Sequence, residues 1–116
     1  MMKEKVVHFS EVQESPVEME GAKNVFIRWL VAEKDGAPNF YLRMFRVEKG
    51  GYTPYHSHPY EHEVYVLSGS GVVKIGDKEY PLAPGVVAFV PPDVNHQFIN
   101  KSDVELVFLC IIPKAK

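Results

Sequence analysis

Gly50-Gly51-Tyr52-Thr53-Pro54-Tyr55-His56-Ser57-His58-Pro59-Tyr60-Glu61-His62-Glu63 carries three histidines within seven residues, in a chain that has 5 histidines in all. Composition alone rarely produces that concentration, and it points to metal ligation. In an extended chain residues i and i+2 project from one face, so His56 and His58 can turn two imidazoles toward one ion, with a third histidine close by in sequence. Imidazole suits zinc, copper, iron and nickel alike, so the cluster argues for a divalent transition metal without choosing among them. A solvated polar loop is the plainer reading of the same residues.

On either side the chain reads as short strands. Val25 to Ala32 is rich in β-branched and aromatic residues and ends at the turn cluster Lys34-Asp35-Gly36-Ala37-Pro38. Asn39 to Val47 is a second strand, and His62 to Leu67 follows the histidine stretch. Ser68-Gly69-Ser70-Gly71 and Gly76-Asp77 then bracket Val72 to Ile75. Val86 to Val90 is an apolar run of buried-strand length closed by Pro91-Pro92-Asp93, and His96 to Ile99 and Val104 to Ile112 complete the set. No amphipathic helix, repeat or low-complexity tract competes. Many short strands with closely spaced turns predict an all-β, antiparallel sandwich or barrel. Ser10 to Lys23, polar and punctuated by Pro16 and Gly21, reads as a loop or arm, so the single domain 1–116 divides into an arm over about 1–23 and a strand-rich body over 24–113.

Alternation assigns faces. With Glu105 toward water, Val104, Leu106, Phe108, Cys110 and Ile112 face inward, while Val107, Leu109 and Ile111 still line the outer face. If His62 points inward, Glu63, Tyr65 and Leu67 point outward, and Val86 to Val90 is apolar on both faces. Strands of this kind call for a second layer: the other sheet, the arm, or another subunit. A homodimer is the expected cover. Arg43 and Arg46 fall on opposite faces of one strand, so one of them points inward, where it could anchor an anionic substrate; a surface salt bridge is the plainer role for either.

Composition bounds the partners. The 116 residues are 46% hydrophobic and 24% charged with a formal net charge of -2, and no basic stripe suggests nucleic acid or an anionic membrane. The single cysteine, Cys110, excludes an intramolecular disulfide and a several-cysteine zinc site. The N-terminal residues show no apolar core of signal-peptide length and no window approaches a membrane span, so a cytoplasmic location is the default expectation.

The spacing resembles the cupin family of small jelly-roll β-barrels, also described as a double-stranded β-helix. Gly50, His56, His58 and Gly69 match the family's first motif, and Gly85, Pro91, His96 and Asn100 match the second, with Asp93 where the family prefers glycine. The family's fourth ligand is normally a glutamate. Counting back from Gly69 places that ligand at His62, and strand alternation turns Glu61 and Glu63 away. The resemblance therefore implies a site of His56, His58, His62 and His96, like the four-histidine single-domain cupins that hold manganese or iron and sometimes nickel, copper or zinc.

Four neutral imidazoles would leave a divalent ion its full charge, making it a stronger Lewis acid and favouring bound anions. Two open positions in a six-coordinate site would suit oxygen, peroxide or a bidentate substrate. The expected function is a metal-dependent oxidoreductase of the dioxygenase kind acting on an unidentified small molecule. The alternative is a non-catalytic ligand-binding or sensor cupin whose metal is structural or a spectator. Phe98, Phe108, Cys110, Thr53 and Arg43 are the candidate pocket-lining residues; Phe98, Phe108 and Cys110 read equally well as plain core. Beyond the metal ligands no general base is evident among the inward positions. His8 matches no motif and reads as an ordinary edge-strand residue.

Overall fold

A computed structural model describes residues 3–114; residues 1–2 and 115–116 of the expected domain lie outside the described residues. The strands are β1 (Glu14–Pro16), β2 (Lys23–Val31), β3 (Phe40–Tyr52), β4 (His62–Ser68), β5 (Gly71–Ile75), β6 (Lys78–Leu82), β7 (Val87–Val90), β8 (His96–Ile99) and β9 (Leu106–Pro113). They form one antiparallel sheet in the order β6-β5-β8-β3-β9-β4-β7, with β2 added to β3 and β1 to β2. The sheet curls on itself into the expected jelly-roll barrel. Pro81 lies in β6, the terminal strand of that order, where a residue without an N–H is tolerated. Among the described residues no helix is long and apolar enough to cross a membrane.

Registered rows of side chains build the interior. Ile27 pairs with Phe45, Phe45 with Phe108, and Phe108 with Val66 across four neighbouring strands. The ring centroids of Phe45 and Phe108 stand 5.4 Å apart, and those of Phe98 and Phe108 4.6 Å. Val47, Val66, Leu106 and Phe108 are buried beside them, each contributing about 1.5–3 kcal/mol relative to exposure. Gly69 lets β4 turn against the start of β9. Its φ is +84°, and a Cβ there would lie 1.9 Å from the Glu105 carbonyl oxygen.

Several expectations change. The arm is partly ordered into secondary structure: Phe9–Glu11 form a 3-10 turn, and β1 adds to β2 with Glu14 opposite Arg28. Glu14 also takes a 2.8 Å ion pair from Arg46, so long-range charge pairing extends a segment whose local composition reads as loop. His8 is no edge-strand residue; its Nδ1 accepts from the Ser10 N–H and caps the 3-10 turn. Val104 does not face inward. Asn100 Nδ2 and Ser102 Oγ both donate to its carbonyl, so it sits in a tight turn before β9 with its side chain exposed. Leu106, Phe108, Cys110 and Ile112 alternate inward as expected.

The strand at 86–90 is not buried on both faces within the chain. Val90 is buried, whereas Val87 is 71% and Phe89 59% exposed. With Tyr65, Leu109 and Ile111 they form a shallow apolar depression on the outer side of β4, β7 and β9.

Candidate metal centre

His62 is the first residue of β4 and alternates inward with Val64 and Val66, while Glu63, Tyr65 and Leu67 point outward. His96 opens β8 and is buried. His56 and His58 belong to no continuous strand, contrary to the simple picture of two residues on one extended face. The backbone of His56 instead forms an isolated antiparallel bridge with His96, and that bridge brings the loop against β8. Asp93 N–H donates to the His58 carbonyl at 2.7 Å and holds the far end of the loop. Asp93 has φ +65°, which explains a family preference for glycine there; aspartate is among the side chains that tolerate this region best.

One ring nitrogen from each of His56, His58 and His96 lies within 4.8 Å of the other two, an arrangement that could hold an ion. The Nε2 atoms of His56 and His58 are 3.2 Å apart. The carbonyl of Val94 accepts from His96 Nδ1 at 3.0 Å, which leaves Nε2 as the ligand nitrogen. His62 lies outside that tight triangle but beside it, its ring centroid 4.6 Å from that of His96 and 5.3 Å from that of His58. Its Nδ1 is buried with no hydrogen-bond partner. An orphaned nitrogen next to three converging imidazoles fits a divalent metal.

The imidazoles are set up to be neutral. Burial, followed by the fields of His58, His96 and Arg43, pulls His56 down to about 4. Burial again leads for His62, with His96, Arg43 and the other two rings adding, and holds it at about 3. Burial also lowers His58 and His96, the latter against the opposing pull of the Val94 carbonyl. Neutral rings present lone pairs without first releasing protons.

A cavity of ≈ 320 Å³ opens onto this cluster, at the lower end of the roughly 300–1,000 Å³ range of small-molecule sites. Phe98, Phe108, Cys110, Thr53 and Arg43 all line it. Thr53 has a structural duty as well: its Oγ1 accepts from the Phe98 N–H at 2.8 Å. Arg43 is the inward arginine, and its Nη2 donates to Cys110 Sγ at 3.0 Å. Arg46 points outward, paired with Glu14, Glu48 and Glu105. Burial raises the Cys110 thiol despite Arg43, which favours the uncharged form.

Sequence reasoning missed Val17, Met19, Ile27, Trp29, Phe45 and Tyr60 as lining residues. Tyr60 stacks on His58 with centroids 4.9 Å apart and planes 7° from parallel. Arg28 offered a signal for β2, since an outward charge there turns Ile27 and Trp29 inward. Val17 and Met19 gave none, because only tertiary pairing brings them to the cavity.

A curled antiparallel sheet with converging histidines at one end of its interior defines a cupin. Residues 43–112 match the cupin domain family (Cupin_2), and the chain belongs to it. The chain is similar over 96% of its length to the polyketide cyclase RemF from Streptomyces resistomycificus, with 35% identity, a TM-score of 0.90 and 80% of that chain covered. It is also 46% identical over 56 residues to Protein SchB of Streptomyces halstedii, a stretch covering 46% of this chain and 41% of that protein. A glucose-6-phosphate isomerase of Pyrococcus abyssi is 38% identical over 65 residues, covering 51% of this chain and 34% of the isomerase. The chain thus spans less than half the length of either curated relative.

Proposed function

We propose that this cupin is a metal-dependent enzyme that closes a ring in a small polycarbonyl compound, holding the metal with His56, His58, His62 and His96. The observation that carries this reading is the cavity itself, which joins a neutral imidazole cluster to an apolar, aromatic-lined space. Similarity to a polyketide cyclase over nearly the whole chain supports the reaction type. A divalent metal, manganese or iron first among candidates, would supply Lewis acidity to a carbonyl oxygen. The chain's own residues do the rest. Phe45, Phe98 and Phe108 offer flat apolar surface for a planar substrate, and Trp29 and Tyr60 help exclude water from it. Cyclisation needs reacting carbons held close together more than it needs a strong base, which suits a cavity with no carboxylate in its lining.

The second reading is the oxygen-activating one. The same four-imidazole set, if two adjacent metal positions are open, would serve a dioxygenase, and an apolar cavity favours the less polar substrate. Incubating the metal-loaded protein with a linear tri-β-ketone and weighing the product by mass spectrometry separates the readings. Ring closure with dehydration lowers the mass by one water, ring closure alone leaves the mass unchanged but shifts the chromatographic retention, dioxygenation raises it by two oxygen atoms, and recovery of the unchanged open-chain compound with tight binding marks a sensor. The exposed apolar strip of Tyr65, Val87, Phe89 and Ile111 supports a homodimer through β4, β7 and β9.

A further inference from the structure

We propose that Arg43 is an anion-binding residue of the cavity, and that the substrate carries a carboxylate on a planar, largely apolar body. This rests on the reading of the cavity as the substrate site. Buried cations are normally paired, because an unpaired charge away from water is costly. Arg43, half-buried, has no such partner. Among the described residues no carboxylate stands within ion-pair distance of it. Its Nε is buried without a hydrogen-bond partner, and the acceptor facing Nη2 is the sulfur of Cys110, a weak one.

Register places it deliberately. Trp29 pairs with Arg43 and Arg43 with Cys110, so the three side chains form one row on the inner face. The guanidinium carbon lies 5.6 Å from the Trp29 ring centroid and 4.9 Å from that of Phe45. Both rings lie within cation–π range of the guanidinium, and no carboxylate competes with a ligand for its donors. The lining of the cavity contains no aspartate or glutamate. Arg43 is therefore a positive charge with no carboxylate beside it in the cavity. A planar carboxylate matches the guanidinium fork through two parallel hydrogen bonds, while the flanking aromatic rings take the apolar remainder.

Trp29 is the chain's 1 tryptophan and flanks the guanidinium, so its fluorescence reports binding there. Benzoate and its neutral counterpart benzamide are titrated into metal-loaded protein and into chelator-treated protein. Benzoate is expected to quench saturably in both forms and to bind on the order of tenfold or more tightly than benzamide. Arg43→Met should lose that margin, and Arg43→Lys should keep part of it. Equal binding of benzoate and benzamide overturns the proposal, as does unchanged benzoate affinity in Arg43→Met. Benzoate binding that vanishes with the metal also overturns it, assigning the anion to the metal instead. Should Arg43→Met fail to fold by near-ultraviolet circular dichroism, Arg43→Lys and the benzoate–benzamide comparison on the native chain still decide. A protein that proves to hold no metal would sink the cyclase reading and leave these titrations intact.

Discussion

The backbones of His56 and His96 exchange two hydrogen bonds, His56 N–H to the His96 carbonyl at 3.2 Å and His96 N–H to the His56 carbonyl at 2.9 Å. Two proposed ligands distant in sequence are thereby fixed by main chain alone. Shortening either side chain removes a nitrogen without releasing the loop. His96→Ala is expected to keep the fold by circular dichroism and to lose metal affinity by at least about a hundredfold, since it breaks the central triangle. His62→Ala should lose about ten- to a hundredfold, being set beside that triangle. Elemental analysis after dialysis against a competing chelator reads both, and full metal retention in His62→Ala would assign the fourth position to another group.

Acid should destabilise the metal-free protein. His56 titrates near 4 and His62 near 3 in the folded chain, against an ordinary value near 6.5. Between those values the unfolded chain binds protons that the folded chain refuses, so unfolding is favoured as pH falls through that window. The stabilising contribution is whole above about 6.5 and is lost progressively toward 3 to 4. Urea midpoints of metal-free protein should drop across that range, and drop less in His62→Ala. Identical pH slopes for the two proteins would contradict the assignment.

Gly69→Ala should lower stability by about 2 kcal/mol or more, measured by chemical denaturation. The new methyl group meets the Glu105 carbonyl at 1.9 Å and the residue must hold φ at +84°. Backbone rather than a flexible side chain is the obstacle, so relaxation offers little relief.

Asn100→Ala should cost about 2–3 kcal/mol. Its buried Nδ2 donates to the carbonyls of Val47 and Val104 at 2.9 and 2.7 Å, and its Oδ1 accepts from the Ser102 N–H at 2.9 Å. Truncation leaves the Val47 carbonyl buried without that donor. Its match to the family motif thus reflects turn architecture, and metal content per folded molecule should be unchanged.

Phe89→Lys is expected to convert a dimer to a monomer in sedimentation experiments. Phe89 is exposed on the edge strand β7, at the margin of the mainly apolar depression over β4, β7 and β9. A native chain that sediments as a monomer would refute the proposed cover.

The strands and the histidines were legible because both are local signals. Alternation placed His62, Val64 and Val66 on one face, and motif spacing singled out His62 over Glu63. Which arginine faced the cavity was not legible, since strand phase within Asn39 to Val47 lacked an unambiguous charged marker. Val104 was misplaced because alternation was extended through a turn made by Asn100 and Ser102. The arm was read as loop because the contacts that extend it, Glu14 with Arg28 and Arg46, span separate strands. Val17 and Met19 were missed for the same reason. Periodicity describes an element and says little about what is laid across it.

Val17 and Met19 also separate two properties that many sites combine. The putting-together of the metal triangle depends on the His56–His96 bridge, whereas these two residues reach the cavity from beside β1, at the outer margin of the sheet order. Variation at 17 and 19 can reshape the cavity while the histidine cluster stays as it is. Under the proposed function, the residues that would shape substrate choice are therefore set apart from those that would hold the metal.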